Sequence, residues 1–162
     1  MAIPSRNSRP GAILSDSRVF FVTSRTAQGT PLLQSERMAN QFIDVLRSYT
    51  SAGKFKINAF VVMSNHIHLL ITLDESLTIE KAMQLIKGNF SFRAKKELGV
   101  QSEIWQRGFS DERITDSESF VSHRSYIEQN PVRAALASSP ENYPYSSAFL
   151  RAQKAAGAKA PN

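Results

Sequence analysis

The sequence predicts one α+β domain, and three observations carry that expectation. The chain has 162 residues, of which 41% are hydrophobic, the size and content of a single domain with a real core. Its apolar residues alternate between short runs of β-formers and stripes at helical spacing. The resulting order is strand, helix, strand, strand, helix, strand, helix.

Residues 1–17 contain Pro4, Pro10, Gly11 and four serines. They read as a flexible N-terminal arm ahead of a domain spanning 18–150. Val19, Phe20, Phe21, Val22 and Thr23 then build a strand over Arg18 to Arg25, and Gly29, Thr30 and Pro31 mark a loop. From Ser35 the period changes. Met38, Phe42, Val45, Leu46 and Tyr49 form one helical stripe, with Ser35 as N-cap and Gly53 as stop. Phe55 to Met63 and His66 to Leu73 follow as strands joined through Ser64-Asn65, a two-residue hairpin. Ile79, Ala82, Met83, Ile86, Phe90 and Ala94 trace a second helix that ends near Gly99. Ile104 to Phe109 is the expected fourth strand. A third helix runs from Ser117 to Asn130 and stops at Pro131, because a proline disfavours helical geometry in the residue before it, and Val132 to Leu136 could add a short turn of helix. The Ala/Lys/Gly-rich tail over 151–162 is expected to be disordered. The first six elements give β-α-β-β-α-β, the split arrangement of ferredoxin-like and RRM-like sheets, with a further C-terminal helix.

Composition removes several function classes. No stretch approaches the ~18 apolar residues of a membrane helix, and the start lacks an apolar signal-peptide core, so export is not expected. Without cysteine there is no disulfide framework, thiolate nucleophile or cysteine zinc site. Twenty Lys and Arg against fourteen Asp and Glu give a net charge of +6, which suits a polyanion such as nucleic acid.

Two constellations could carry chemistry. On a strand, His66 and His68 project from one face while Ile67, Leu69, Ile71 and Leu73 occupy the other. The apolar face must look into the core, so both imidazoles look the other way, spaced to reach one metal. An isolated His-x-His is as readily two half-exposed strand histidines. Tyr126 and Asn130 lie at i and i+4 on one helix face, with His123 at i−3. Asn130 is also explained as a helix-end residue, and Tyr126 as core beside Phe120, Val121 and Ile127. The chemical alternative is a tyrosine nucleophile, which a cation at His66 and His68 would assist by polarising a phosphodiester.

Four ordered blocks carry a resemblance. The run from Val62 to Leu70, containing His66-Ile67-His68, closely resembles the histidine-hydrophobe-histidine (HUH) signature of single-tyrosine transposases. Trp105-Gln106-Arg107-Gly108-Phe109 with Asp111 looks like the fourth-strand block of that family. Tyr126 to Leu136 is similar to its nucleophile helix, and Pro140 to Ser147 to the closing segment of the REP-associated tyrosine transposases. Ser64 stands where many members have Pro, Ser110 where an aromatic is common, and Ala135 where Gly is common.

The resemblance implies that His66, His68 and Asn130 are metal ligands and that Tyr126 is the nucleophile. His123 has no counterpart in these blocks and reads as a solvent or packing residue. The implied activity is metal-dependent nicking and rejoining of single-stranded DNA near a hairpin of the REP-like repeat type, through a 5′-phosphotyrosine link, with Mg²⁺ or Mn²⁺ as the ion. It also implies a bacterial cytoplasmic protein on the nucleoid, with a monomer favoured over the homodimer of insertion-sequence relatives. Lys81, Lys87, Lys95, Arg107, Arg113, Arg124 and Arg133 could neutralise phosphates, and Trp105 and Phe109 could stack bases if they are not core. Arg6 and Arg9 could enter a groove as a basic arm does. A rival from another class is a non-catalytic nucleic-acid-binding domain on the same fold. A third is a hydrolytic metalloenzyme using activated water.

Overall fold

A computed structural model describes residues 18–159. The expected arm over 1–17, with Arg6 and Arg9, lies outside the described residues. The elements are β1 (Arg18–Arg25), α1 (Glu36–Ser51), β2 (Lys56–Val62), β3 (His66–Leu73), α2 (Ile79–Leu98), β4 (Ser110–Ile114), α3 (Ser117–Arg133) and α4 (Ser147–Lys159). The sheet is antiparallel throughout, in the order β2-β3-β1-β4. That is the split β-α-β-β-α-β arrangement the sequence predicts.

Alternation along the strands divides the molecule into two faces. On one, Phe20, Val22, Phe60, Val62, Ile67, Leu69, Ile71 and Leu73 pack under the stripes of α1 and α2. Both helices are started by side-chain caps: Ser35 accepts from the Met38 N–H and Thr78 from the Lys81 N–H. On the other face Val19, Phe21, Ala59, Val61, Met63 and Leu70 form a smaller core with Ile114 and Ile127, under α3.

Three expectations are corrected. The fourth strand is Ser110–Ile114, not 104–109. Ile104 and Trp105 instead anchor a loop in the main core, Trp105 edge-on to Phe42 and Phe90. The true strand, Ser-Asp-Glu-Arg-Ile, is a mostly exposed edge strand without an apolar run, so it leaves no periodic signal. Helix α3 continues through Pro131 to Arg133. A proline there gives up its own backbone bond and crowds the carbonyl one turn earlier, a cost the helix bears in its last turn, and the true stop lies beyond it. The Leu136 N–H bonds the Pro131 carbonyl at 2.9 Å and the Ala135 N–H bonds that of Val132 at 3.0 Å, with Ala135 left-handed at φ +60°.

The third correction concerns the tail, where α4 occupies Ser147–Lys159. Buried Glu128 of α3 holds it: Arg151 donates two hydrogen bonds to that carboxylate, at 2.9 and 3.0 Å, and the Ser147 hydroxyl a third. The segment leading into α4 also runs along the outer edge of β2. The Val62 N–H donates to the Tyr145 carbonyl, the Phe60 N–H to Ser147 Oγ, and the Tyr143 hydroxyl to the Val62 carbonyl.

Candidate active site

The strand register sets out the site as a row. Across the α3 face, Val61, His68, Thr23 and Ser110 stand opposite one another on β2, β3, β1 and β4, with His66 opposite Arg25 one step along. Residues directly opposite share a face. The histidines therefore point away from the large core, as alternation requires.

Each imidazole is held through one nitrogen. His66 Nδ1 lies 2.8 Å from Asn65 Oδ1; an amide oxygen only accepts, so Nδ1 carries the proton and Nε2 keeps its lone pair. His68, 6% exposed, has Nδ1 2.8 Å from Thr23 Oγ1, leaving Nε2 as its outward nitrogen. The rings are 4.9 Å apart and near perpendicular. Burial pushes the His68 pKa down to about 3, helped by His66, Arg25 and Arg133. Burial, then Arg25, lowers that of His66. Both rings are accordingly neutral at pH 7, the state that binds a metal.

Helix α3 brings Tyr126 to this pair. Its ring lies 5.7 Å from that of His68 and edge-on to Phe21 at 5.9 Å. The Arg133 guanidinium sits 4.4 Å over the Tyr126 ring and donates to the Tyr126 carbonyl at 3.2 Å. Asn130 follows one turn after Tyr126, half-buried on the same helix face. His123 is fully buried: Nδ1 donates to the Ser119 carbonyl at 2.7 Å, Nε2 faces Glu112 Oε2 at 3.3 Å, and the ring lies 4.9 Å from Phe21. It is a packing residue, and solvent has no access to it.

The cationic candidates divide. Lys81 and Lys95 are exposed on α2, on the far side of the sheet from the histidines, and Arg113 shares that side through its pairing with Phe20. The Lys87 ammonium donates to the Gln106 and Gly108 carbonyls and lies over the Trp105 ring, so it clamps a loop. Trp105 is 8% exposed and belongs to the core, which removes it as a stacking platform. Arg124 lies 3.9 Å from Glu128. Arg107 is exposed and Phe109 half-buried, in the loop before β4, while Arg133 stands over Tyr126. Sequence reasoning passed over Phe21, Thr23, Arg25 and Asn65. The strand parity that placed the histidines, carried across to β1, would have found Thr23 and Arg25.

The donor set has one further property. Among the described residues no three or more His, Cys, Asp or Glu side chains gather where an ion could sit. Asn130 brings an uncharged carboxamide to the helix face that carries Tyr126.

Comparison with known proteins decides the family. The model of the family described as "Transposase IS200 like" matches residues 19–130, from β1 to Asn130. The chain belongs to the IS200-like transposases. Within them it is similar to the REP-associated tyrosine transposase of Escherichia coli K12, 30% identical over 130 residues that cover 78% of this chain and 73% of that protein. A Haemophilus influenzae relative that carries the same name provisionally is 29% identical over 141 residues, 76% of this chain and 80% of the relative. A solved REP-associated tyrosine transposase bound to a REP hairpin superposes with a TM-score of 0.64 at 25% identity, covering 99% of this chain and 89% of that one. This IS200-like transposase is thus similar to that REP-associated protein over nearly its whole length.

Proposed function

We propose that this IS200-like transposase is a metal-dependent, site-specific endonuclease and strand transferase for single-stranded DNA, acting beside a REP-like hairpin. The observation that carries the reading is the approach of Tyr126 to His68 within one chain, ring to ring at 5.7 Å. An isolated core tyrosine has no need of a neutral imidazole beside it that is itself 4.9 Å from a second. The same approach supports action in cis by a monomer, since no partner's tyrosine is required.

His66, His68 and Asn130 would hold Mg²⁺ or Mn²⁺, and an all-neutral donor set leaves the ion its full charge. When bound, such an ion supplies Lewis-acid polarisation of the phosphodiester. The chain's own groups do the rest. Asn65 and Thr23 fix the two rings through their Nδ1 atoms. Phe21 supports the Tyr126 ring at its edge and Arg133 covers its face. The phenol oxygen attacks phosphorus, the P–O3′ bond breaks, and the strand leaves with a free 3′-hydroxyl. The 5′-phosphotyrosine link keeps the bond energy for rejoining by attack of another 3′-hydroxyl.

The test is Tyr126→Phe, which keeps the ring and its packing and removes the hydroxyl. With a labelled hairpin oligonucleotide in Mn²⁺, the parent forms a covalent adduct on a denaturing gel and the variant forms none, at equal hairpin affinity. A persistent adduct in the variant would overturn the assignment. Product release without any adduct in the parent would favour activated water.

A further inference from the structure

Beside the histidines, on the β1–β4 side, the surface opens into a small polar cleft of about 170 Å³. Its walls are Thr23 and Arg25 from β1, Ser110 from the start of β4, and the Gln106–Phe109 loop with Arg107. Thr23 is the residue that holds His68 Nδ1, and Arg25 stands opposite His66 in the strand register. The cleft is therefore continuous with the row of the candidate active site, about 10 Å of sheet at the usual strand spacing.

Its charge is one-sided. Neither the Arg25 nor the Arg107 guanidinium has a carboxylate within ion-pair distance among the described residues. No carboxylate lines the cleft. Asp111 projects to the opposite face through its pairing with Val22, and Glu112 faces His123. The loop carbonyls that would oppose an anion are occupied, since Lys87 takes those of Gln106 and Gly108. The wall is also tied in place: the Gln106 N–H bonds the Arg25 carbonyl at 2.9 Å and the Ala27 N–H bonds that of Ile104 at 2.8 Å. Gly108, at φ +79°, allows the turn that brings Arg107 and Phe109 round. Two unpaired guanidiniums on a fixed frame beside hydroxyls suit a phosphate group.

We infer that this cleft is a phosphate subsite for single-stranded DNA, in which Arg25 and Arg107 hold the phosphodiester adjoining the one presented to Tyr126. The inference rests on the nicking reading for the direction of the strand, and it adds a site that fixes the strand on the β4 side of the histidines. Arg25 and Arg107 are positioning residues: they hold the strand in register and take no part in the bond change.

The experiment is a binding measurement in a Tyr126→Phe background, which keeps the strand intact. Two probes are compared, a REP-type hairpin with single-stranded flanks and the same hairpin without them. Arg25→Gln and Arg107→Gln should each weaken the flanked probe by about tenfold and leave the unflanked one unchanged. The Arg25→Gln/Arg107→Gln double variant should also lower the salt slope on the flanked probe by about 0.7, the share of the one phosphate the two hold. Neutral methylphosphonate placed at successive flank positions should reveal one phosphate whose replacement weakens the parent and adds nothing to the double variant. Equal losses on both probes, no loss on either, or full additivity at every flank position would overturn the subsite. Because adduct formation is not the readout, failure of the tyrosine chemistry and failure of the cleft are told apart.

Discussion

The two faces of the sheet are built to different rules. The face under α1 and α2 is a deep apolar layer in which Phe42, Phe90 and Trp105 meet edge to face. The face under α3 has a small apolar cluster at one end and, beyond it, a row of Thr23, Arg25, His66 and His68. Phe21 lies on the border, with its ring against His68, His123 and Tyr126. One face supplies stability and is apolar but for a few buried polar groups such as Ser24 and Gln41. The other gives up burial so that polar side chains can stand on a rigid floor, and it relies on the first to be that floor.

The sharpest way to break this division is a pair of phenylalanine substitutions. Phe42→Ala should cost about 3–5 kcal/mol in denaturant unfolding, while the folded fraction still forms the Tyr126 adduct at the parental rate. Phe21→Leu should cost only about 1–2 kcal/mol and yet slow adduct formation by about ten- to a hundredfold, because it frees the Tyr126 ring. If the two variants lose activity in proportion to their loss of stability, the faces do not divide the labour.

A smaller effect comes from pH. The folded-state pKa of His68 is lowered to about 3, against 6.5 for an ordinary histidine. Between those values the unfolded chain takes up a proton that the folded chain refuses, so stability falls as pH is lowered through that window. Without added metal, the parent should lose about 2 kcal/mol from this group between pH 6.5 and 5. The His68→Gln variant should lack that component, and parallel pH profiles for the two proteins would count against a neutral buried imidazole.

Most of the apolar face was legible in the sequence, and the reason is period. Stripes such as Met38-Phe42-Val45-Leu46 have one destination, the core, so spacing alone places them. The site face was legible only where a rule of geometry or a family motif spoke: strand parity for His66 and His68, helical spacing for Tyr126 and Asn130. What was missed lacks period. Strand β4 is an exposed edge with no apolar run, whereas Ile104 and Trp105 have the apolar character of a strand and belong to the core. Arg151 looked like part of a disordered tail because its partner, Glu128, is 23 residues earlier. Pro131 reads as a stop on local preference alone, and the turn expected after it is continuous with α3 as far as Arg133.

That turn gives the smallest prediction. Ala135 holds a left-handed position at φ +60° on the exposed end of α3, where a side chain is disfavoured by ~1–2 kcal/mol and glycine is not. Ala135→Gly should stabilise the protein by about 0.5–1 kcal/mol by thermal or denaturant unfolding, after the entropy that glycine adds to the unfolded chain. Adduct formation should not change. A change in it would extend the site face to the helix end and redraw the border between the two regions.

The segment that runs beside β2 has a consequence for how copies of the chain meet. An open sheet has two rims, and each is an invitation to continue the ladder with another molecule. Here the chain accepts the invitation itself on one side: Tyr145 and Ser147 receive the N–H groups of Val62 and Phe60, and the Tyr143 hydroxyl caps the Val62 carbonyl. That rim is no longer a template. The other is β4, five residues long, with Asp111, Glu112 and Arg113 along it, and a short, charged rim recruits poorly. The chain that closes the fold thereby also limits growth of the sheet by strand addition.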